Sequence, residues 1–406
     1  MRLLIATALT LLSLAPAPAH ATTGRWTGTW ATAMQRPFPG AYNPNWSETG
    51  FENQSVRQIV RISVGGDRVR IRLSNRYGTA PLRLTGATLA RAGEGAATGE
   101  PVRVTFAGDP QAVVQAGRDL VSDPVRIRVS PRERLATTFY FHGPTGPASF
   151  HDWAMDTAYR APGDQRFATS GAAFTESSKS WYFLTGVEVT GRARGSVAVF
   201  GDSVTDGTSS THGADRRYPD RLAERLLADG KPLGVLNTGL SGNRVLNDST
   251  CFGERAGDRF RRDVLDRPGV RAVVVMQGVN DVGFPTWDYH CAKPNPVVSA
   301  EQLIEGHRAL IRAAKARGLT VVGGTIVPFK NSFMYSDAGE ATRDAVNHWI
   351  RTSGEYDAVA DFDKVLADGD VLRPEYDPGD ALHPNDAGLK AMADAVDLDV
   401  LWDATK

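Results

Sequence analysis

Ser196–Gly207 reads SVAVFGDSVTDG, an apolar run from Val197 to Phe200 that passes at once into Asp202, Ser203, Thr205 and Asp206. A continuous apolar run of strand length suits a strand buried on both faces, as in a parallel sheet covered by helices. The polar end is then either a turn with a helix cap or a serine displayed on the rim of that sheet. The residues around it decide. Further runs of strand length occur at Gly234–Asn237, Ala272–Met276, Thr320–Ile326 and Ala358–Phe362. Helical patterns separate them at Tyr218–Ala228, Glu254–Leu265, Glu301–Arg317 and Ala341–Thr352, with a last one from about Asp386 to Leu401. In the third, Leu303, His307, Leu310, Ile311 and Ala314 recur at helical spacing. Strands alternating with helices predict a doubly wound α/β domain over residues 195–402.

Upstream the period changes to two. In VRISVGGDRVRIRL, Val60, Ile62 and Val64 alternate with Arg61 and Ser63, and Val69, Ile71 and Leu73 alternate with Arg68, Arg70 and Arg72. Gly65-Gly66-Asp67 between them reads as a hairpin turn. Similar strands are expected at Pro81–Leu89, Val102–Phe106, Val125–Val129, Ala136–Phe141 and Trp181–Val189. Residues 25–190 are therefore expected to form an antiparallel β-sandwich, of jelly-roll type. The short joint Gly191–Gly195 implies that the two domains pack together. Trp26, Trp30, Trp46, Trp153 and Trp181 could stack on sugars, but most are expected in the core and between domains.

A chain of 406 residues suits two domains. Lys and Arg total 46, as do Asp and Glu, which gives no electrostatic case for nucleic acid or an anionic membrane as partner. Arg2, the apolar stretch Leu3–Ala15 and Ala19-His20-Ala21 have the form of a signal peptide over residues 1–21, cut after Ala21, so the mature chain is expected to be secreted. No later run is long and apolar enough for membrane insertion. In an exported chain, the two cysteines Cys251 and Cys291 are expected to pair.

Functional groups of a doubly wound sheet collect at the carboxyl ends of its strands. Gly201-Asp202-Ser203 follow the first strand, NTGLSGN with Gly242 the second, and QGVND with Asn280 the third. GDALHPND, with Asp380 and His383, precedes the last helix. Each piece alone has a plain role as turn, cap or helix start. Their joint order, one set per strand end, divides the labour of acyl transfer. In that division Ser203 would be the nucleophile, His383 would take its proton, and Asp380 would fix the imidazole tautomer. Backbone N–H groups of Ser203 and Gly242 and the Asn280 amide would form an oxyanion hole. Asp377, six residues before His383, is a weaker rival to Asp380, and Asp206 is either a cap or a brace for the active-site loops.

GDSVTDG, NTGLSGN, GVND and DALHP resemble the four sequence blocks of the SGNH, or GDSL-type, serine hydrolase superfamily. The resemblance implies a three-layer α/β/α domain of flavodoxin-like character, with the triad and oxyanion roles just given. Val204 stands where leucine is usual. The N-terminal half is similar, more weakly, to β-domains that precede the catalytic domain in some secreted relatives.

The expected activity is cofactor-free hydrolysis of short-acyl esters, such as acetylated carbohydrates, small or polymeric. Hydrolysis of longer acyl or aryl esters, acyl transfer, and glycan binding without catalysis are the alternatives. His212, His290, His307 and His348 lack metal-ligand spacing. A Cys251–Cys291 bond would brace the loops bearing Gly242 and Asn280. Phe284, Trp287 and Tyr289 in that clamp are candidates for an acyl or sugar wall. The oligomeric state is left open.

Overall fold

Five parallel strands form the centre of the C-terminal half: β1 (Ser196–Gly201), β2 (Gly234–Asn237), β3 (Val270–Met276), β4 (Thr320–Gly324) and β5 (Ala358–Ala360). Their order is β2-β1-β3-β4-β5, the flavodoxin-like arrangement. The computed structural model describes residues 25–40 and 44–406, so the signal peptide expected over residues 1–21 lies outside the described residues. Val197–Phe200 and Ala272–Met276 are fully buried, which is why these strands read as unbroken apolar runs.

Helices pack on this sheet through the faces their spacing foretold. In the helix Ala300–Lys315, Leu303, His307, Leu310, Ile311 and Ala314 point inward, and Ser299 and Gln302 close a capping box at its start. The expected last helix is two, Asp386–Asp394 and Leu398–Asp403, because Asp397 caps a fresh start. Because β1 lies between β2 and β3, successive connections leave it in opposite directions. A crevice opens at the carboxyl ends of β1 and β3.

The N-terminal half is an antiparallel sandwich. One sheet has four strands, in the order Trp26–Ala31, Leu184–Thr190, Arg68–Ser74, Asp119–Val121. The other has six and is centred on Gln54–Arg61 and Arg134–Phe141. The expected hairpin across Gly65-Gly66 does not form. Gln54–Arg61 pairs in the six-stranded sheet, whereas Arg68–Ser74 pairs with Leu184–Thr190 in the other. Alternation marks the buried face of a strand but not its partner, and here the turn carries the chain from one sheet to the other. Val125–Val129 makes only isolated bridges, at Val125 and Val129. The arginine face is largely paired: Arg72 Nη2 lies 2.9 Å from Glu188 Oε1, and Arg70 stacks 4.2 Å from the Trp26 ring.

The domains meet where strand Trp26–Ala31 crosses the amino ends of β1 and β2. Gly28 N–H donates to Pro268 O (2.9 Å), Ser196 Oγ donates to Gly28 O (2.8 Å), and Val235 N–H donates to Ser63 Oγ (2.9 Å). A Cβ on Gly234 would stand 2.0 Å from Gly28 O, so this approach requires glycine. Buried Arg267 donates to Thr185 O and to Thr185 Oγ1 (2.8 and 2.9 Å) across the same seam. One apolar core runs through both halves, from Trp30 and Trp181 to Phe200 and Leu236.

Candidate active site

At the end of β1 the chain turns into a single helical turn, Ser203–Asp206, capped by Asp202, whose Oδ1 accepts from Val204 N (3.1 Å). That turn sets Ser203 on the rim. Ser203 Oγ lies 2.8 Å from His383 Nε2, and His383 Nδ1 lies 2.6 Å from Asp380 Oδ2. Asp380 Oδ1 also accepts the backbone N–H of His383 (2.9 Å) and of Leu382 (3.0 Å). Burial raises the Asp380 carboxyl, but the hydrogen bond and charge of His383 and these N–H groups outweigh it and hold the group below its ordinary range. Asp377 faces elsewhere: its Oδ1 accepts from Gly379 N (2.7 Å) and Ala381 N (3.0 Å), shaping the turn that presents Asp380.

The loops after β2 and β3 complete the rim. Gly242 sits at φ +73°, a conformation natural to glycine, and a Cβ there would run into the Phe252 ring. Asn280 Nδ2 donates to Asn243 O (2.9 Å). Asp281, buried beside it, accepts from Val245 N (2.8 Å) and Leu246 N (3.1 Å) and so ties the two loops together. Cys251 and Cys291 form the expected disulfide between them. Arg244 adds a clamp, donating to Ala292 O (2.8 Å) and Pro294 O (2.9 Å).

Ser203, Gly242, Asn280, Asp380 and His383 all line one cavity of about 240 Å3. Phe284 and Trp287 form part of its wall. Tyr289 does not line it but stacks behind Trp287, centroids 4.7 Å apart and planes 6° off parallel. Phe252 and Phe333, which were not foreseen, and Trp153, expected chiefly as an inter-domain contact, complete the aromatic lining. Among the described residues no group of His, Cys, Asp and Glu is arranged to hold a metal ion.

Trp153 comes from the β-domain, which reaches the site in two further places. Gln35 Nε2 donates to Cys251 O (2.8 Å). His151, fully buried against Trp181, meets Asp206 Oδ1 at 3.0 Å and Ala33 O at 2.9 Å. Both partners are acceptors, so both ring nitrogens carry protons. Burial opposes that charge, yet the Asp206 carboxylate and the Ala33 carbonyl keep the imidazole above its ordinary value. Asp206 Oδ2 in turn accepts from Ser241 N (3.1 Å) and Ser241 Oγ (2.8 Å), next to Gly242. Asp206 thus braces the loop that carries Gly242 rather than capping a helix.

Arg259 was missed altogether. Fully buried, it donates to Gly201 O (2.7 Å), Thr238 O (2.8 Å) and Asn243 Oδ1 (2.8 Å), joining the ends of β1 and β2 to the Gly242 loop. Its Nη1 pairs with Asp263 at 3.1 Å. The signal was present: Ala256, Phe260 and Val264 mark the inner face of the expected helix, and Arg259 and Asp263 fall on it four residues apart.

Residues 199–391 match the family model described as the GDSL-like lipase/acylhydrolase family. No curated protein matches the chain. Among solved structures, it is similar to a variant of an acetyl xylan esterase from Geobacillus stearothermophilus, at 22% identity over 50% of this chain and 93% of that one, TM-score 0.39. It is also similar to a lipolytic protein of the G-D-S-L family from Desulfitobacterium hafniense, at 20% identity over 49% of this chain and 96% of that one, TM-score 0.38. An alpha/beta hydrolase from the metagenome of Lake Arreo, Spain, is 23% identical over 53% of this chain and 96% of that one, TM-score 0.39. Over residues 199–391 the chain is thus similar to the GDSL-like lipase/acylhydrolase family.

Proposed function

We propose that the chain is a secreted serine esterase that works through a covalent acyl-enzyme on Ser203. The observation that carries this reading is the unbroken relay from Ser203 Oγ through His383 to Asp380, at 2.8 and 2.6 Å, opening on the same cavity as Gly242 and Asn280. His383 Nε2 takes the Ser203 proton as Oγ attacks the ester carbon, and Asp380 stabilises the imidazolium. The Ser203 and Gly242 N–H groups and the Asn280 amide receive the oxyanion. The proton then passes to the departing alcohol, and water repeats the cycle to release the acid.

The cavity bears on the acyl group. A 150 Å3 apolar cavity already admits benzene, and this one is about 240 Å3 and aromatic-walled. That volume favours a medium-length or aryl acyl group over the acetyl group expected from the sequence. The test is hydrolysis of nitrophenyl esters from acetyl to palmitoyl. Turnover is expected to peak at intermediate length and to fall by about 10^4-fold or more in Ser203→Ala. Undiminished turnover in that variant overturns the mechanism, and a maximum at acetyl or palmitoyl overturns the acyl assignment.

A further inference from the structure

Strand Phe150–His151 of the β-domain pairs with Trp181–Tyr182 and ends on an imidazole that is only 1% exposed. Its nitrogens meet acceptors alone. Nδ1 lies 2.9 Å from Ala33 O, and Nε2 lies 3.2 Å from Trp153 O and 3.0 Å from Asp206 Oδ1. A neutral imidazole carries one N–H and one lone pair, so either tautomer would aim a lone pair at an oxygen. The imidazolium, with two donors, satisfies both sides. The ring stacks on Trp181, centroids 5.6 Å apart and planes 27° off parallel, which holds it in that orientation. The charged groups that face it are Asp152 beside it, Asp206 across the seam and, over Trp181, Arg217, whose Cζ lies 5.8 Å from that indole. Burial works against the proton, but Asp206, the Ala33 carbonyl and Asp152 outweigh it.

Asp206 is where this charge meets the chemistry. It closes the helical turn that begins at Ser203, and its Oδ2 accepts from the N–H and the hydroxyl of Ser241, the residue before Gly242. Turn and loop are also in close contact, since a Cβ on Gly239 would stand 2.3 Å from Asp206 N. Both backbone donors assigned to the oxyanion, Ser203 and Gly242, are thus joined to Asp206 by a short piece of chain. No lysine or arginine forms an ion pair with Asp206 among the described residues, and its partner there is His151. Arg217 acts on it only from farther off. A buried carboxylate left uncompensated at this place would oppose the negative charge that grows on the substrate oxygen.

We propose that His151 is a positioning residue of the esterase: by neutralising Asp206 it holds the Ser203 turn and the Gly242 loop together without leaving a bare negative charge beside the oxyanion. The β-domain thereby acts on the rate without touching the reacting atoms. A tetrahedral intermediate forms in acylation and again in deacylation, so both steps depend on the pair. A loss shared by both steps lowers kcat and leaves KM near its wild-type value. This inference rests on the reading of Ser203 as nucleophile and of Gly242 as an oxyanion donor.

The test is hydrolysis of nitrophenyl butyrate by the full chain, with kcat and KM followed across pH. His151→Gln keeps a donor for Asp206 and removes the charge. It is expected to lower kcat by about ten-fold or more, with KM within about two-fold of wild type. Adding Asp206→Asn removes the uncompensated carboxylate, so the double variant should turn over about three-fold or more faster than His151→Gln alone. In wild type, kcat should fall on the alkaline side, because the charge of His151 is present below its raised value and lost as pH climbs through it. Asp206→Asn has no carboxylate to lay bare, and that fall should be absent from it. A kcat unchanged in His151→Gln, a double variant no faster than that single one, or identical alkaline sides in wild type and Asp206→Asn each overturn the role. Where circular dichroism shows His151→Gln unfolded, the alkaline comparison decides alone. Ser203→Ala separates the two readings: surviving activity overturns the esterase mechanism, and its loss leaves that mechanism standing whatever the His151 variants do.

Discussion

Arg259 bonds the carbonyls of two strand ends and the side chain of a third segment, all with one planar group. Arg259→Ala leaves Asp263 buried without its closest partner and takes a donor from three acceptors, of which Gly201 O keeps Leu240 N–H and Asn243 Oδ1 keeps Gln277 Nε2. The expected loss is about 3–5 kcal/mol in denaturant unfolding, and Arg259→Lys should recover little of it, since one ammonium cannot span the three acceptors. The Asp206–His151 pair is equally buried but touches the catalytic loop through Ser241. Asp206→Asn should lower kcat more than it raises KM, because Gly242 is misplaced rather than the substrate; an unchanged kcat refutes the brace. Asp202 is pushed up to about 7, chiefly by burial and further by the Asp281 charge, against the Val204 N–H and Arg259. Its neutral form is the one the fold favours. The stability it contributes is fully present below the unfolded value near 3.9 and is lost as pH rises through about 7. Tm should therefore fall less steeply between pH 5 and 8 in Asp202→Asn than in wild type. His307, lowered to about 4 by burial, acts in the opposite sense, losing stability as pH falls from about 6.5 toward that value.

At the scale of elements, the loops after β2 and β3 are held by a disulfide, by Arg244 and by Asp281. Cys251→Ser is expected to cost up to about 4 kcal/mol on the chain-entropy estimate for a closed loop of this size. Activity should fall with it, and kinetics identical to wild type would show that Arg244 and Asp281 suffice. These loops also mark what the sequence made legible. Ser203, Gly242, Asn280, Asp380 and His383 were readable because each follows a strand or precedes a helix, and parallel topology sends all such positions to one rim. The crossing at Gly65-Gly66 was not readable, since a period of two is the same whether the next strand pairs with the last or joins the opposite sheet. Trp153 was read as packing, because nothing in its neighbourhood says which domain it will face.

For the whole molecule, the β-domain is part of the candidate site. It supplies Trp153 to the cavity, Gln35 to the Cys251 loop and His151 to Asp206, and the two halves share one core. A shared core predicts one cooperative unfolding transition in calorimetry, and two well-separated transitions would contradict it. Residues 195–406 expressed alone should be nearly inactive, even where a parallel sheet still forms. The seam has one more consequence. β2 is the outermost strand of its sheet, and its Val235 N–H is taken up by Ser63 of the other domain. Without that cover the sheet ends in an open ladder that another copy can extend. The β-domain is thereby also a guard against self-association, and the isolated catalytic half should scatter light and precipitate where the full chain stays dispersed.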